Sequence, residues 1–204
     1  MLNLELLTAA VVAVGDGRGF VVETQERLVR RLVVTAAHCL PKFPPSAAIS
    51  FTEERTYPEL IGALGEGPTI WAECLFVDPI GDIALLGPVD NQALAEEAFA
   101  YDELVEGVEP IRASKAREDE KAAYLLSLDC GWQPCEVLSS GGPLWLRGAW
   151  FGIRGGMSGS PIIGADGKAL GVVTASGGAP GAVHTEGGPQ PCLAANLPKW
   201  CDLV

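Results

Sequence analysis

A serine that acts as a nucleophile needs a sharp turn that exposes its hydroxyl, and free backbone N–H groups that can meet a developing oxyanion. Gly155-Gly156-Met157-Ser158-Gly159-Ser160-Pro161 supplies both. Gly156 and Gly159, around Ser158, admit backbone angles that a Cβ would forbid and leave room for a substrate carbonyl. Taken alone, such a turn equally fits an ordinary hairpin loop. The serine also needs a general base able to carry a proton near neutral pH, and histidine is the side chain that does this. Two histidines are present, His38 and His184. His38 closes the apolar run Leu32-Val33-Val34-Thr35-Ala36-Ala37-His38-Cys39, where a buried strand gives way to small residues and the ring can face a cleft. The base in turn needs a carboxylate to fix its tautomer and stabilise the imidazolium. Asp82, in Gly81-Asp82-Ile83-Ala84-Leu85-Leu86, heads an apolar strand where an unpartnered charge would be costly, and His38 is its natural partner.

Thr35-Ala36-Ala37-His38-Cys39, Asp82-Ile83-Ala84-Leu85-Leu86 and Gly156-Met157-Ser158-Gly159-Ser160-Pro161 together resemble the three motif blocks of the trypsin/chymotrypsin-like serine proteases, in the bacterial type of that peptidase domain. The order His, Asp, Ser is that family's and differs from the orders on the subtilisin and α/β-hydrolase folds. Gly17-Arg18-Gly19-Phe20 matches a Gly-x-Gly-Phe turn seen in many bacterial members. The resemblance runs over about residues 10–203, by pattern rather than identity between the blocks. It implies an all-β fold of two six-stranded Greek-key barrels, the chymotrypsin-like double barrel, with a short C-terminal helix. It also implies a serine endopeptidase working through an acyl-enzyme. Ser158 would attack the peptide carbonyl, His38 would shuttle the proton, Asp82 would orient the imidazole, and the N–H groups of Gly156 and Ser158 would form the oxyanion hole. No metal or organic cofactor is required.

Composition agrees with this architecture. The chain has 204 residues, 48% of them hydrophobic, and its 25 glycines and 15 prolines favour many short strands over long helices. With 14 basic and 26 acidic residues, its net charge of −12 argues against nucleic acid or an anionic membrane surface as partner. No stretch reaches the length of a membrane span. Met1-Leu2-Asn3-Leu4-Glu5-Leu6-Leu7 lacks the basic start of a signal peptide, and its apolar residues are needed for the first strand, so the expected compartment is the cytoplasm. The six cysteines, Cys39, Cys74, Cys130, Cys135, Cys192 and Cys201, fit reduced thiols in such a compartment. Secreted animal members pair the cysteine after the catalytic histidine with one upstream, and here none precedes Cys39. A Cys130–Cys135 bridge across a hairpin, or a zinc site that adds Cys192 or Cys201, are the alternatives.

In chain order, strands are expected at residues 8–14, 20–23, the run into His38, 47–51, 69–77 and 83–86, with a Gly-rich connection before 69. These make a first barrel, residues 1–90, that carries His38 and Asp82. Residues 91–110 hold six acidic and no basic residues and read as a surface crossover with one short helix. Strands at 122–129, 135–139, 144–151, 161–163, 169–175 and 192–195 make a second barrel, residues 111–195, that carries Ser158. A C-terminal helix, 196–204, begins with Asn196 as cap and Pro198 in its first turn.

Two departures from the family pattern matter. Activatable members carry an aspartate before the nucleophile that pairs with a new N-terminus; here that position is Met157, an apolar plug, so the oxyanion loop must be held by packing or ordered by a substrate or partner. A protease with no such lock needs restraint, which implies a regulatory protein partner or narrow substrate choice. The position at the base of the primary pocket is Gly152 and not an acid, and Thr174, Ala175 and Ser176 align with the strand that pairs with substrate backbone. That implies a small or medium apolar preference, unless Glu186 folds inward; Cys192 would line the pocket wall. His184 reads as a surface residue or as a recogniser of an acidic substrate side chain. Beyond a multiple-turnover protease, the sequence allows a non-catalytic peptide-binding module or a domain that cleaves itself once.

Overall fold

The computed structural model describes residues 3–25, 30–44, 54–114, 121–139, 142–175 and 184–201. The first sheet is a closed barrel of six strands: β1 Val11–Val14, β2 Gly17–Glu23, β3 Arg31–Thr35, β4 Thr56–Ala63, β5 Ile70–Asp78 and β6 Ile83–Gly87. Around the barrel they run β1-β2-β3-β6-β5-β4. β2, β3 and β6 are apolar almost throughout and buried, which matches strands covered on both faces by core and neighbouring elements. Closure leaves no open edge.

One register positions chemistry. β3 and β6 are antiparallel with Val34 opposite Leu85 and Thr35 opposite Ala84. Continued past its last pair, that register sets the residues after Thr35 beside those before Ala84. A 3₁₀ turn at Ala37–Cys39 then lifts His38 out of the barrel end next to Asp82.

The crossover forms a helix, α2, over Ala95–Glu106, longer than the short helix expected. Its acidic residues face solvent, while Ala98, Tyr101 and Val105, at i, i+3 and i+7, are buried against β3 and β5. Tyr101 Oη donates to Leu86 O at 3.1 Å. The Arg31 guanidinium closes the other end of the helix by donating to the carbonyls of Val105, Glu106 and Val108 at 3.0, 2.7 and 2.8 Å.

The second sheet comprises β7 Ala122–Leu126, β8 Trp132–Ser139, β9 Leu144–Arg147, β10 Pro161–Gly164, β11 Ala169–Val172 and β12 Gly187–Gln190. Its order is β11-β10-β7-β8-β9-β12. It curls into a half-barrel whose ends approach where Gly171 bridges Cys192 and Val172 N donates to Pro191 O at 3.1 Å. The two sheets make the chymotrypsin-like double-barrel fold.

Several local expectations are corrected. The chain opens with a helix, α1 Leu4–Ala9, because Asn3 caps it by accepting from Leu6 N at 3.4 Å. The indole of Trp132 holds it by donating to Thr8 Oγ1 at 2.9 Å. The fourth strand lies at Thr56–Ala63, inside the expected connection; residues 47–51 fall outside the described residues. The last strand precedes Cys192 rather than following it. Gly187 and Gly188 hide it from a propensity reading, and Gly188 is needed because a Cβ there would stand 2.8 Å from the Trp145 ring. The C-terminal helix is a single turn, α3 Leu193–Asn196, then a 3₁₀ turn at Lys199–Cys201. Asn196 is the last residue of α3 rather than the cap of a following helix, and its Nδ2 donates to Cys192 O at 2.9 Å.

Tyr101 ties α2 to the barrel through one buried hydroxyl. Tyr101→Phe is expected to cost about 1 to 2 kcal/mol of unfolding free energy, read from the urea midpoint at constant slope.

Candidate active site

His38 and Asp82 meet as the β3–β6 register requires. Asp82 accepts twice from the same residue: Oδ2 from His38 Nδ1 at 2.7 Å and Oδ1 from the His38 backbone N–H at 3.0 Å. Two contacts fix both the ring's position and its tautomer, with Nδ1 protonated and Nε2 left as acceptor. Asp82 itself sits in left-handed backbone, φ 54°, a conformation aspartate tolerates better than most residues. The loop before it is set by Asp78, whose Oδ1 accepts from Ile80 N and Gly81 N, each at 2.9 Å. The imidazole remains 47% exposed. Its hydrogen bond to Asp82 raises the His38 pKa above its ordinary 6.5, partial burial opposes this, and the Asp82 charge adds to the rise.

Ser158 comes from the second sheet, in the turn that leads into β10. Gly159 N donates to Val173 O at 2.7 Å and Val173 N to Ser160 O at 2.9 Å, so the turn continues the β10–β11 pairing. From the first barrel, Arg18 N donates to Ser158 O at 2.7 Å. Gly17, Gly155, Gly156 and Ser158 line one cavity of about 450 Å³ together with His38 and Asp16. A serine from one sheet and a histidine from the other therefore face a common space of ligand size.

The oxyanion loop has a definite conformation. Met157 N donates to Arg154 O at 3.1 Å, closing a turn over Gly155 and Gly156. Of the two central residues only Gly156 has positive φ, 87°, the signature of a type II turn. Neither Gly156 N nor Ser158 N donates to another described residue, so both are available to an oxyanion. Met157 is 2% exposed and its Sδ accepts from Arg154 N at 3.4 Å. Apolar packing holds the loop where a buried ion pair would hold an activatable enzyme.

Gly152, Thr174 and Ala175 do not line the cavity that Ser158 shares with His38. Gly152 borders a small void beneath the loop with Met157, Ala149 and Phe151. Thr174 and Ala175 are held by Gln190, which is fully buried. Gln190 Oε1 accepts from Thr174 N at 2.6 Å and Ala175 N at 3.0 Å, and its Nε2 donates to Ala175 O. The Thr174 carbonyl receives no donor among the described residues. Ser176 lies outside the described residues. Glu186 is exposed, and the His184 carbonyl accepts from Ile153 N at 2.7 Å. Sequence reasoning missed Gln190 and Arg18; a lone buried glutamine has no local pattern, and Arg18 was visible only as the variable position of the Gly-x-Gly-Phe turn.

All six cysteines are free thiols. Cys39 has no strand partner because Gly17 occupies the neighbouring place: a Cβ there would lie 2.6 Å from Cys39 Sγ. Burial pushes the Cys39 thiol up, so it stays protonated beside the serine and does not compete as a nucleophile. Among the described residues no group of His, Cys, Asp and Glu could hold a metal, and no helix is long and apolar enough to cross a membrane. A larger cavity, about 720 Å³, opens between α2 and the barrel beside Arg31, Glu73, Asp90 and Asp102. It contains no nucleophile. Arg31 there is bound to the α2 carbonyls and Glu73 to Arg55 at 2.9 Å.

Residues 17–172 match the model of the trypsin-like peptidase domain family. The chain belongs to that family. No curated protein matches it. Among solved structures it is similar to the serine protease of human pathogenic astrovirus, with TM-score 0.53, 17% identity and 94% of each chain covered. It is also similar to the MamO protease domain of Magnetospirillum magneticum, with TM-score 0.50, 17% identity, and 90% and 93% covered. An inactive serine-to-alanine form of Rv3671c from M. tuberculosis H37Rv gives TM-score 0.55 and 16% identity, with 95% and 87% covered. At these identities the likeness establishes the fold.

The His38–Asp82 contact makes a testable statement about charge. Folding raises the His38 pKa, so the stability it contributes is fully present below about pH 6.5 and is lost as pH rises through the folded-state value. The His38 ring resonance is expected to titrate above 6.5 in the native chain and to move down in Asp82→Asn; a titration unchanged by that substitution would contradict the contact.

Proposed function

We propose that this protein is a serine endopeptidase, with Ser158 as nucleophile, His38 as general base and acid, and Asp82 as the group that orients and stabilises the imidazolium. The observation that carries this is the His38 ring, clamped by Asp82 at Nδ1 and facing the cavity that Ser158 and Gly156 line. Ser158 Oγ adds to the peptide carbonyl while His38 Nε2 takes its proton. The oxyanion is met by the N–H groups of Gly156 and Ser158, a contribution of about 3 to 4 kcal/mol per donor. His38 then returns the proton to the leaving amine, and a water repeats the sequence to release the acyl group from Ser158.

Substrate placement follows from which groups are unoccupied. The Thr174 carbonyl is available to a substrate N–H, whereas the neighbouring amides are already engaged by Gln190. The acyl-side pocket is expected to take small or medium apolar residues. Gly187 is packed between Ala175 O and Ile153 Cδ1, at 2.6 and 2.8 Å from its would-be Cβ, and no acid lies among these groups. A loop held by Met157 without a cleavage-dependent lock supports control by a protein partner or by narrow substrate choice.

A fluorophosphonate probe is expected to label the wild type and not Ser158→Ala. A folded wild type that stays unlabelled would instead indicate a silent peptide-binding module. In the labelled enzyme kcat/KM is expected to rise with pH through the His38 titration, above pH 6.5, because the base must be neutral to act. Asp82→Asn should lower kcat by about 10⁴.

Gly156→Ala tests the oxyanion turn. The nearest atom to its Cβ would be Leu128 Cδ2 at 3.4 Å, so space is adequate, but φ 87° is not. Alanine favours the flipped turn and removes one donor. The expected loss is about 10² to 10³ in kcat, with KM changed little.

A further inference from the structure

Arg18 is an internal cation at the seam between the sheets. It is 6% exposed, and no carboxylate among the described residues pairs with it. Its Nη1 donates to Leu126 O at 2.9 Å and to Ser127 O at 3.0 Å, and Nη2 to Leu128 O at 3.4 Å. A buried guanidinium keeps its proton and is costly to desolvate unless its donors are matched. Burial lowers its pKa, and a charge on nearby Cys130 would raise it. Three carbonyls at the end of β7 supply the match that a carboxylate normally would.

The backbone of the same residue holds the nucleophile turn. Arg18 N donates to Ser158 O at 2.7 Å. Its carbonyl accepts from Thr35 Oγ1 at 2.6 Å. That carbonyl also lies 1.7 Å from where a Gly159 Cβ would be, so the Ser158-Gly159 backbone rests directly against it. The three carbonyls that the guanidinium grips open the turn that carries Leu128. Leu128 Cδ2 is the nearest atom to the Gly156 Cβ position, at 3.4 Å. Leu125 and Ser127 border the void beneath Met157. One residue of the first barrel therefore touches Ser158 with its main chain and, with its side chain, the platform on which the oxyanion loop rests.

We infer that Arg18 is a positioning residue that sets the Ser158 turn and the Gly156 loop in register with His38, by bridging the two sheets through its guanidinium and its peptide group together. This rests on the Ser158 reading above only where the readout is hydrolysis. The general role of the main-chain contact would survive any residue at position 18; the guanidinium contacts would not.

Arg18→Ala, Arg18→Lys and wild type would be compared for kcat and KM on a short peptide ester, for fluorophosphonate labelling, and for amide exchange across residues 154–160, with and without added methylguanidine. Arg18→Ala is expected to lose about a hundredfold in kcat with little change in KM. Methylguanidine should restore part of that loss in the alanine variant and do nothing to wild type. Exchange of the 154–160 amides should speed at least about tenfold and slow again with methylguanidine. The His38 titration, internal to the first barrel, should stay in place. If Arg18→Ala does not fold, Arg18→Lys carries the test: one ammonium cannot satisfy three carbonyls in a fork, so an intermediate loss in kcat is expected. A folded variant with wild-type kcat and unchanged exchange would overturn the inference, as would a folded Arg18→Ala indifferent to methylguanidine. If wild type is neither labelled nor active, the protease reading fails, and the exchange result alone decides the role of Arg18.

Discussion

Asp82 holds His38 by both its ring and its backbone N–H, and the cleft that Ser158 also lines is arranged around that two-point grip. A single hydrogen bond to Nδ1 would select a tautomer but leave the ring free to swing about its own side-chain torsions. The second bond, to the main chain, fixes the carboxylate relative to the backbone from which the ring projects. The grip demands that Asp82 leave the apolar strand it heads in left-handed backbone, a conformation that costs free energy. The Asp78 side chain bonded to Ile80 N and Gly81 N, and the strand register immediately after Asp82, leave it little alternative.

The two sheets contribute unequally. The first is closed, and its buried strands β2, β3 and β6 leave His38 and Asp82 on a rigid rim. The second closes through the Gly171–Cys192 bridge and the Gln190 side chain, and its Ser158 turn borrows support from outside. Arg18 N and the Arg18 carbonyl brace it from the first barrel, Val173 pairs with it from behind, and Met157 fills the space below. A half-open sheet that carries a loop of fixed shape needs such contacts, since the loop's own backbone offers two internal hydrogen bonds, Met157 N to Arg154 O and Ser160 N to Met157 O.

What the sequence revealed follows from the range over which each feature is encoded. His38, Asp82 and Ser158 each sit in a short stretch whose neighbours announce the local structure: a buried strand ending in small residues, an apolar strand headed by an acid, a glycine turn before proline. Met157 as a buried plug was legible because an apolar residue stood where a charge is expected. The strands β2, β3 and β6 were legible because their burial makes them nearly continuous apolar runs. β12 was not, since two glycines and a proline carry no strand signal and the strand exists only through pairing with β9. α1 was read as strand because its leucines look the same in either state until Asn3 is recognised as a cap. Arg18 bonds to a carbonyl 108 positions away, and no spacing rule reaches that far.

The same distance argument explains why the substrate-facing groups were the hardest to place. Gln190 satisfies the Thr174 and Ala175 amides with its side-chain oxygen and the Ala175 carbonyl with its side-chain nitrogen. The carboxamide, with one acceptor and two donors, does in one residue what a ladder of backbone bonds would do over several. It leaves both amides engaged, whereas the Thr174 carbonyl accepts from no described residue. The buried carboxamide therefore shapes this edge from behind, and a reading confined to cavity-lining positions does not reach it.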